Sequence, residues 1–425
     1  MPKLLGPLAQ AITFAHAPMK GPLGADHLEV VANAGLLIDD AGRLAAVGPY
    51  PALAKQYPKA ETWQPLWGAP LVALPGFVDA HTHACFAGNR ALDYDLRIAG
   101  RPYLEIAKAG GGIWSSVQAT RKASQADLAA ATVAYANAAL RRGVTTLEVK
   151  SGYGLSVAEE LKMLRAIRTA DGQTEADLIA TCLAAHICPK DFDGGPAAYL
   201  DLVVEKLLPT VWQEGLACRV DIFIEETAFD HTLATQYLQR AAAMGFQLTV
   251  HADQFTAGSS QVAVAVGAAS ADHLESSSEA DIARLAASDT VATALPGASL
   301  GLGMGYTPAR KLLDAGACLA IASDYNPGSA PMGHLLLQAS VLAAAEKLST
   351  AETLAAITYR AAHALRLADR GRLAPGQWAD VQLYATDDYR QILYWQGGME
   401  PALVLKQGKV CLTSESPAEA SEPAP

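Results

Sequence analysis

The chain lacks three features that would each assign it to a distinct class of protein. No run of about 18 apolar residues interrupts the sequence, which argues against a membrane-spanning helix. The first residues, Met1 to Pro7, lack the long apolar core of a signal peptide, which predicts a cytoplasmic protein. Positive charge is scarce, and a net charge of −11 argues against a nucleic-acid or anionic-membrane partner.

Closely spaced cysteine pairs are also missing. The six cysteines are scattered, and several, such as Cys182 and Cys318, lie within apolar runs. This pattern predicts buried free thiols rather than disulfides or a zinc knuckle. Apolar residues, by contrast, make up 51% of the 425 residues, which is enough for a sizeable core in a large α/β domain plus a smaller one.

The middle of the chain alternates between short apolar strands and Ala/Leu-rich segments with helical spacing, such as 127–142 and 158–170. The predicted strands are Val72–His83, Val144–Lys150, Leu178–His186, Val220–Glu225, Gln247–His251, Ser270–His273, Thr290–Leu295 and Cys318–Asp324. Eight such units over roughly 250 residues predict an α/β fold of the (β/α)8 TIM-barrel type. A doubly wound sheet shares the alternation and is the structural alternative.

Both ends of the chain are rich in short strands and turns. Residues 28–48 predict a hairpin around the turn Asp39-Asp40-Ala41-Gly42. We expect residues 1–73 and 370–412 to pack together as one small β-sandwich domain beside a catalytic barrel at 74–369. The last residues, 413–425, are rich in Ser, Glu, Pro and Ala and are predicted to be a disordered tail.

Histidines and an aspartate gather where the predicted strands end. His81 and His83 are two residues apart and therefore point to the same side of a strand, while His251 and Asp324 end strands five and eight. A barrel places its active site at the C-terminal ends of its strands. Three imidazoles and a carboxylate suit Zn²⁺ or another borderline cation such as iron, which lowers the pKa of bound water. Asp324 is a candidate metal ligand, a candidate base for that water, or both.

Three further polar residues end predicted strands. His186 and His273 are candidates for stabilising charge on a reacting carbonyl oxygen, the alternative being histidines that anchor loops. Lys150 ends strand two. It is either carbamylated and bridges two metals, or an unmodified charge beside a single metal. Both alternatives for Lys150 stay open at this point.

The stretch Pro75-Gly76-Phe77-Val78-Asp79-Ala80-His81-Thr82-His83, together with His251 and Asp324, resembles the amidohydrolase superfamily. More specific stretches are Glu148-Val149-Lys150-Ser151-Gly152-Tyr153-Gly154 and Ser323-Asp324-Tyr325-Asn326-Pro327-Gly328-Ser329, with Phe86 to Arg90 and Ala109 to Ile113. These resemble the imidazolonepropionase family. The resemblance runs over nearly the whole barrel and into both terminal segments.

This resemblance implies hydrolysis of 4-imidazolone-5-propanoate, a small molecule of histidine degradation, to N-formimidoyl-L-glutamate. It also implies one Zn²⁺ or Fe³⁺ per chain and a homodimer. The implied metal ligands are His81, His83, His251 and Asp324. Arg90 and Tyr153 would grip the propionate and the ring, and His186 would contact the ring carbonyl. Asn326, Gly328 and Ser329 would contact the other end of the substrate.

One position departs from the family pattern. Gln254 stands where some members carry a glutamate proposed to act as a base, and an amide cannot accept the proton of water at neutral pH. Asp324, with help from His273, is therefore the predicted base, and Gln254 a predicted substrate contact. Two rival functions are another cyclic amidase or deaminase of the superfamily, and an inactive scaffold that binds proteins. A scaffold of that kind would be expected to have lost metal ligands.

Overall fold

A computed structural model describes residues 1–64, 69–101 and 111–413 of the chain. Within them the strands form two separate eight-stranded sheets. The strands are β1 Lys3–Ile12, β2 Val30–Ile38, β3 Leu44–Pro49, β4 Glu61–Trp63, β5 Leu71–Pro75, β6 Phe77–Asp79, β7 Val144–Lys150, β8 Asp177–Ala185, β9 Arg219–Ile222, β10 Gln247–Ala252, β11 Ser270–His273, β12 Val291–Ala294, β13 Leu319–Ile321, β14 Val381–Ala385, β15 Leu403–Lys406 and β16 Lys409–Thr413.

Most of the helices follow barrel strands and cover the outside of the barrel, whereas the first of them packs against β1, β2 and β3. They are α1 Tyr50–Gln56, α2 Ala91–Ile98, α3 Ile113–Lys122, α4 Gln125–Arg141, α5 Val157–Asp171, α6 Gly195–Leu202, α7 Leu208–Gln213, α8 His231–Ala243, α9 Ser260–Ala265, α10 Glu279–Ala286, α11 Pro296–Leu302, α12 Ala309–Asp314, α13 Leu335–Glu346, α14 Thr350–Ala356, α15 Tyr359–Ala364 and α16 Arg390–Tyr394. A single π-helical turn, Val203–Leu207, joins α6 to α7. Local sequence starts several of them, as where the Ser124 hydroxyl accepts a hydrogen bond from the Asp127 amide at the N-terminus of α4.

The second sheet is a parallel barrel in which β6 to β13 follow one another in chain order. The TIM-barrel prediction is confirmed, and the doubly wound alternative is excluded because the strand order never reverses. The amide of Asp324 donates to the carbonyl of His81 at 3.0 Å, and the amide of His83 donates to that of Tyr325 at 2.8 Å. These bonds join the ends of β6 and β13. The barrel therefore closes at the same residues that were predicted to bind a metal.

The first predicted strand, residues 72–83, is in fact two strands in two different sheets. β5 pairs with β14 and β1 in the terminal sheet, whereas β6 pairs with β7 in the barrel. Gly76 lies between them, and a Cβ added there would stand 2.3 Å from the Thr145 hydroxyl oxygen. Only glycine permits this close approach to β7, so the break falls at Gly76 and the barrel strand is short.

The other sheet is built from both ends of the chain, as predicted. Its strand order is β16-β15-β14-β5-β1-β2-β3, with β4 pairing beside β1, and the predicted hairpin is the antiparallel pair β2–β3. Leu5, Leu36, Val381 and Leu405 lie in a core of its own. β5 carries this sheet to Pro75, just past the expected boundary at residue 73. The division into domains stays a prediction, and the predicted disordered tail lies outside the described residues apart from Thr413, which ends β16.

Two exclusions made from the sequence concern cysteines and membranes. All six cysteines are free, with Cys85, Cys182 and Cys318 buried, although Cys218 is exposed rather than buried. Among the described residues no helix combines the length and the apolar character needed to cross a bilayer.

Candidate active site

A cavity of about 900 Å³ opens at the C-terminal ends of the barrel strands. Its lining includes the predicted residues His83, Arg90, Tyr153, His186, His251, Gln254, His273, Asp324, Asn326, Gly328 and Ser329. His81 lies fully buried just beneath its floor. Several of these residues follow a strand instead of ending it: for example, His186 comes after β8, which ends at Ala185, and Asp324 comes after β13, which ends at Ile321. The structure therefore brings all the predicted site residues together.

Three imidazoles converge on one point of the cavity floor. The Nε2 atom of His83 lies 3.3 Å from Nε2 of His81 and 3.3 Å from Nε2 of His251. The two residues from β6 reach this point because they are two positions apart, while His251 comes from β10 across the barrel. Their ligand atoms all lie within 4.8 Å of one another, a separation that one metal ion spans.

Two aspartates determine which ring nitrogen of His81 and of His251 faces inward. The Nδ1 atom of His81 lies 2.7 Å from Asp272, and that of His251 lies 2.9 Å from Asp221. A carboxylate at this distance favours the proton on Nδ1, which leaves the lone pairs of both Nε2 atoms aimed at the convergence point. Lone pairs at such short separations repel each other unless a cation lies between them. The arrangement therefore fits a bound metal.

Asp324 completes the set from the opposite side. One of its oxygens, Oδ1, lies 3.4 Å from Nε2 of His83 and 3.6 Å from Nε2 of His81. This oxygen is buried and has no hydrogen-bond partner, a costly state that a metal ion or water would relieve. The Asp324 backbone has a φ of +50°, which an L residue adopts only when its surroundings hold it there.

Burial controls the protonation of the site. It lowers the pKa of His83 to about 3 and that of His251 to about 4, with the Lys150 ammonium lowering both further and Asp221 opposing the shift. Burial also lowers the pKa of His81 well below its usual value. All three imidazoles are therefore neutral at physiological pH, the form that binds metals. Burial acts in the other direction on Asp324 and raises the pKa of its carboxyl.

His273 differs from the other histidines because a carboxylate stands beside it. Its Nδ1 atom lies 3.6 Å from Glu275, and although burial alone would lower the pKa of His273, this charge outweighs it and raises the pKa. His273 and Leu274 have φ angles of +86° and +71°, so the chain turns sharply as β11 ends. Strain of this kind is found at functional sites. The turn directs the ring toward the cavity.

Arg90 forms a salt bridge with Asp93 and also lines the cavity. Its Nε atom lies 2.7 Å from Asp93 Oδ2, and both side chains are largely buried rather than on the surface. The same carboxylate oxygen accepts a hydrogen bond from the Gly112 amide at 2.8 Å. Nη1 of Arg90 faces Gly328, where an added Cβ would stand 2.5 Å away. The bridge thus orients the guanidinium toward the loop after β13.

Tyr153 and His186 form an aromatic wall beside the metal ligands. The Tyr153 ring lies 5.9 Å from His83 and 5.5 Å from His186. Burial and the nearby Asp324 carboxylate raise the pKa of Tyr153, so its hydroxyl keeps its proton. His186 Nδ1 donates to the carbonyl of Gly152 at 3.0 Å. Burial, and to a smaller extent the neighbouring His83, lowers the pKa of His186 to about 3, so this ring is neutral as well.

A buried glutamate holds the loop that carries Tyr153. Glu160 accepts hydrogen bonds from the amides of Gly152 at 3.1 Å, Gly154 at 2.8 Å and Leu155 at 2.8 Å. It comes from the first turn of α5, where a negative charge is favourable. One carboxylate thus fixes the backbone on both sides of Tyr153.

The loop after β13 is held by its own side chains. Asn326 Oδ1 accepts from the amides of Gly328 and Ser329, while Nδ2 donates to the Asp324 carbonyl at 2.7 Å and to the Ser329 hydroxyl at 2.9 Å. Both hydrogens of the Asn326 amide are therefore used within the loop. Asn326, Gly328 and Ser329 all line the cavity, and their predicted contacts with substrate stay predictions.

Gln254 follows β10 and lines the cavity, and its contact with substrate stays a prediction. The next two residues are held by Glu225, which accepts from the amides of Phe255 at 2.8 Å and Thr256 at 3.1 Å. Its other oxygen accepts from the Thr256 hydroxyl at 2.8 Å. Glu225 thus anchors the loop that positions Gln254, and both its oxygens are occupied.

Sequence reasoning missed the acidic residues that hold the site together: Asp221, Asp272, Glu160 and Glu275. Asp221 and Asp272 were detectable in principle, because each is the one carboxylate inside a short barrel strand, in Arg-Val-Asp-Ile and Ser-Ala-Asp-His. Such a residue requires a buried partner. Glu160 and Glu275 carry no comparable signal.

The chain is similar to proteins of known class over most of its length. A sequence model described as "Amidohydrolase family" matches residues 103–392. An imidazolonepropionase from Herpetosiphon aurantiacus is 39% identical over 423 residues, which cover 96% of each chain. One from Rubrobacter xylanophilus is 43% identical over 393 residues, covering 91% of this chain and 94% of the relative. One from Deinococcus deserti is 44% identical over 363 residues, covering 85% and 89%.

Solved structures extend the similarity to the fold. An atrazine chlorohydrolase from Arthrobacter aurescens, crystallised with zinc, matches with a TM-score of 0.71 at 20% identity, covering 99% of this chain and 97% of that one. An adenosine deaminase from Xanthomonas campestris with bound zinc matches with a TM-score of 0.69 at 18% identity, covering 97% and 93%. At these identities the likeness concerns the fold alone.

Proposed function

We infer the function of this chain from its membership of the amidohydrolase family and, within it, of the imidazolonepropionases. It is a hydrolase that acts on a cyclic amide. Its reaction converts 4-imidazolone-5-propanoate to N-formimidoyl-L-glutamate in histidine degradation. The observation that carries this conclusion is a three-histidine cluster at the same cavity as a largely buried arginine that can bind a carboxylate.

His81, His83, His251 and Asp324 would hold one metal ion, either Zn²⁺ or Fe³⁺. The fit rests on inward lone pairs fixed by Asp272 and Asp221 and on the unpartnered Oδ1 of Asp324. A bound ion of this kind lowers the pKa of water and polarises a carbonyl oxygen. The ligand set is neutral except for Asp324, which leaves net positive charge at the centre.

Arg90 binds the propionate of the substrate in the same cavity. Its Nε is already held by Asp93, so the remaining guanidinium nitrogens are oriented without further loss of freedom. Tyr153 packs against the ring and donates a hydrogen bond from its hydroxyl, which stays protonated because the pKa of Tyr153 is raised. Gln254 supplies an amide to the ring, and Asn326, Gly328 and Ser329 contact the other end of the substrate.

Asp324 accepts the proton of the attacking water. The water oxygen bonds to the ring carbonyl carbon, and the C–N bond of the amide then breaks. Asp324 returns its proton to the leaving nitrogen, with His273 as the nearby donor that balances the developing charge. One water is consumed and no redox change occurs. Gln254 cannot replace Asp324 as a base, because an amide does not accept a proton at neutral pH.

Three further features belong to this proposal. The enzyme acts in the cytoplasm, consistent with its six free cysteines, since reducing compartments keep thiols unpaired. It forms a homodimer, and it binds no nucleic acid, in keeping with a net charge of −11.

Product analysis tests the proposed reaction. Metal-replete protein is incubated with freshly prepared 4-imidazolone-5-propanoate, and the product is identified by NMR and mass spectrometry. We expect N-formimidoyl-L-glutamate, with one water added and both nitrogens retained. Release of ammonia would instead indicate a deaminase. A folded protein that binds metal but turns over neither this substrate nor related cyclic amides would indicate a scaffold.

A further inference from the structure

Lys150 lies beneath the metal ligands, fully enclosed by the barrel. Its Nζ atom is 2.8 Å from Glu148 Oε1 and 2.8 Å from Asp221 Oδ2. Glu148 and Lys150 share a face of β7 because they are two residues apart, and Asp221 reaches them from β9. A buried ammonium requires such partners, and here it has two.

The carboxylate that binds Lys150 also contacts a proposed metal ligand. Asp221 Oδ2, the oxygen 2.8 Å from Lys150, lies 2.9 Å from Nδ1 of His251. A single oxygen atom therefore stands between the ammonium and the imidazole. We propose that Lys150 is an unmodified ammonium that positions the metal ligand His251 through Asp221.

The charges around Lys150 argue against a carbamate at this position. Carbamylation of the ammonium forms a bond between Nζ and the carbon of CO₂ and releases two protons, which replaces a positive group with a negative one. The new anion would face Glu148 and Asp221, both buried, with Arg219 as the nearest compensating cation at 4.0 Å from Glu148. With the ammonium, these four groups sum to zero charge; with a carbamate, they sum to −2. Burial alone would lower the pKa of Lys150, but the two carboxylates raise it, which keeps the nitrogen protonated and unreactive toward CO₂.

Among the described residues, the aspartate that orients His81 forms no ion pair with a lysine or an arginine. Asp272 contacts Nδ1 of His81 at 2.7 Å and accepts from the Thr249 hydroxyl at 3.1 Å. A neutral hydroxyl is a weaker partner than an ammonium. Removing Lys150 should therefore release Asp221 and with it the orientation of His251, whereas Asp272 keeps its contact with His81.

Zinc affinity of the metal-free protein tests this role without using turnover. It is measured by competition with a chromophoric chelator, with the fold of each variant checked by circular dichroism. We expect Lys150→Met to weaken zinc binding about 10- to 100-fold, as other outer partners of metal ligands do. The double variant Glu148→Gln/Lys150→Met removes one charge of each sign, so it should fold even if the single variant is unfolded. We expect it to show the same loss of zinc affinity. Unchanged zinc affinity in the folded variants would overturn the proposal.

A double-mutant comparison separates this path from a general structural effect. If Lys150 acts only through Asp221, then Asp221→Asn and Asp221→Asn/Lys150→Met bind zinc within about 3-fold of each other. In an Asp272→Asn background, Lys150→Met should still produce its full loss. Equal losses in both backgrounds would indicate that Lys150 acts by another route and would contradict the proposal.

The unmodified state is tested on the wild-type enzyme. Holoenzyme in ¹³C-bicarbonate should give no carbamate signal by ¹³C NMR and should contain one metal per chain; a carbamate signal would overturn the proposal. The inference rests on the proposed metal centre, but the two fail differently. Wild-type protein that binds no zinc would reject the metal centre itself, whereas tight zinc binding that ignores Lys150 rejects only its positioning role.

Discussion

Nδ1 of His186 lies 3.0 Å from the carbonyl oxygen of Gly152. A carbonyl can only accept, so Nδ1 carries the proton. Because the pKa of His186 is lowered to about 3, the ring is neutral and its Nε2 is an acceptor. A neutral acceptor cannot donate to the substrate carbonyl, the contact that the family resemblance implies for His186. We infer that His186 accepts a hydrogen bond from a ring N–H instead.

This assignment predicts how His186 variants behave. His186→Phe should lower kcat/KM about 10- to 100-fold, because a substrate N–H is left without an acceptor. His186→Gln should retain more activity, since its amide oxygen can accept. Because the pKa of His186 is about 3, well below the ordinary value of 6.5, the ring gains no proton between pH 8 and pH 5. The acid and alkaline limbs of the profile of kcat/KM against pH should therefore lie at the same pH in the wild type and in His186→Gln. Loss of a limb in the variant would contradict a neutral ring.

Arg90 should act on substrate binding more than on the chemical step. Arg90→Lys removes the fork that binds a carboxylate, and KM should rise about 10- to 100-fold with kcat changed only slightly. A substrate analogue without the carboxylate should be turned over equally by both proteins. Arg284→Lys is the matched control, because Arg284 forms an ion pair with Asp281 across the same three-residue spacing but does not line the cavity. A fall in kcat alone would speak against the assignment.

Glu160 should stabilise both the protein and the position of Tyr153. Glu160→Gln replaces one acceptor oxygen with an N–H group facing backbone amides, which should lower the free energy of unfolding by about 1–3 kcal/mol. KM should rise while metal content stays unchanged. Glu159→Gln is the adjacent control, since Glu159 pairs with Lys162 near the surface and should change stability by less than about 1 kcal/mol. Chemical denaturation of the metal-replete proteins measures the difference.

Asp324 and Gln254 should differ sharply in their contribution to turnover. Asp324→Asn removes the proposed base and should lower kcat about 10²- to 10⁴-fold. Gln254→Ala removes one neutral hydrogen bond and should lower kcat/KM about 10-fold. Metal content is measured in each variant, because Asp324 is also a proposed ligand. Equal losses of kcat in the two variants, with metal still bound, would reject Asp324 as the base.

The barrel and its metal ligands were predictable because both follow from one-dimensional patterns. Strand and helix alternation implies the barrel, and side chains at strand ends meet at one face. His81, His83, His251 and Asp324 could therefore be grouped before their distances were known. The split at Gly76 was missed, since it depends on how closely Thr145 of the neighbouring strand approaches the backbone.

Hydrogen bonds between distant segments could not be predicted in this way. Pairing of Asp272 with His81 joins residues 191 positions apart, and only the folded barrel brings them within 2.7 Å. The Asn326 amide, a predicted substrate contact, donates both of its hydrogens within its own loop. The resemblance that identified these positions carries residue types but not the partners that each side chain already has.

Turnover with and without a chelator tests the central claim most directly. Purified protein is assayed with freshly prepared 4-imidazolone-5-propanoate, then stripped of metal by a chelator and reloaded with Zn²⁺ or iron. We predict ring opening by the metal-replete protein, loss of activity on stripping while the protein stays folded, and recovery on reloading. No ring opening by the metal-replete protein, or full activity after the metal is removed, would contradict the account.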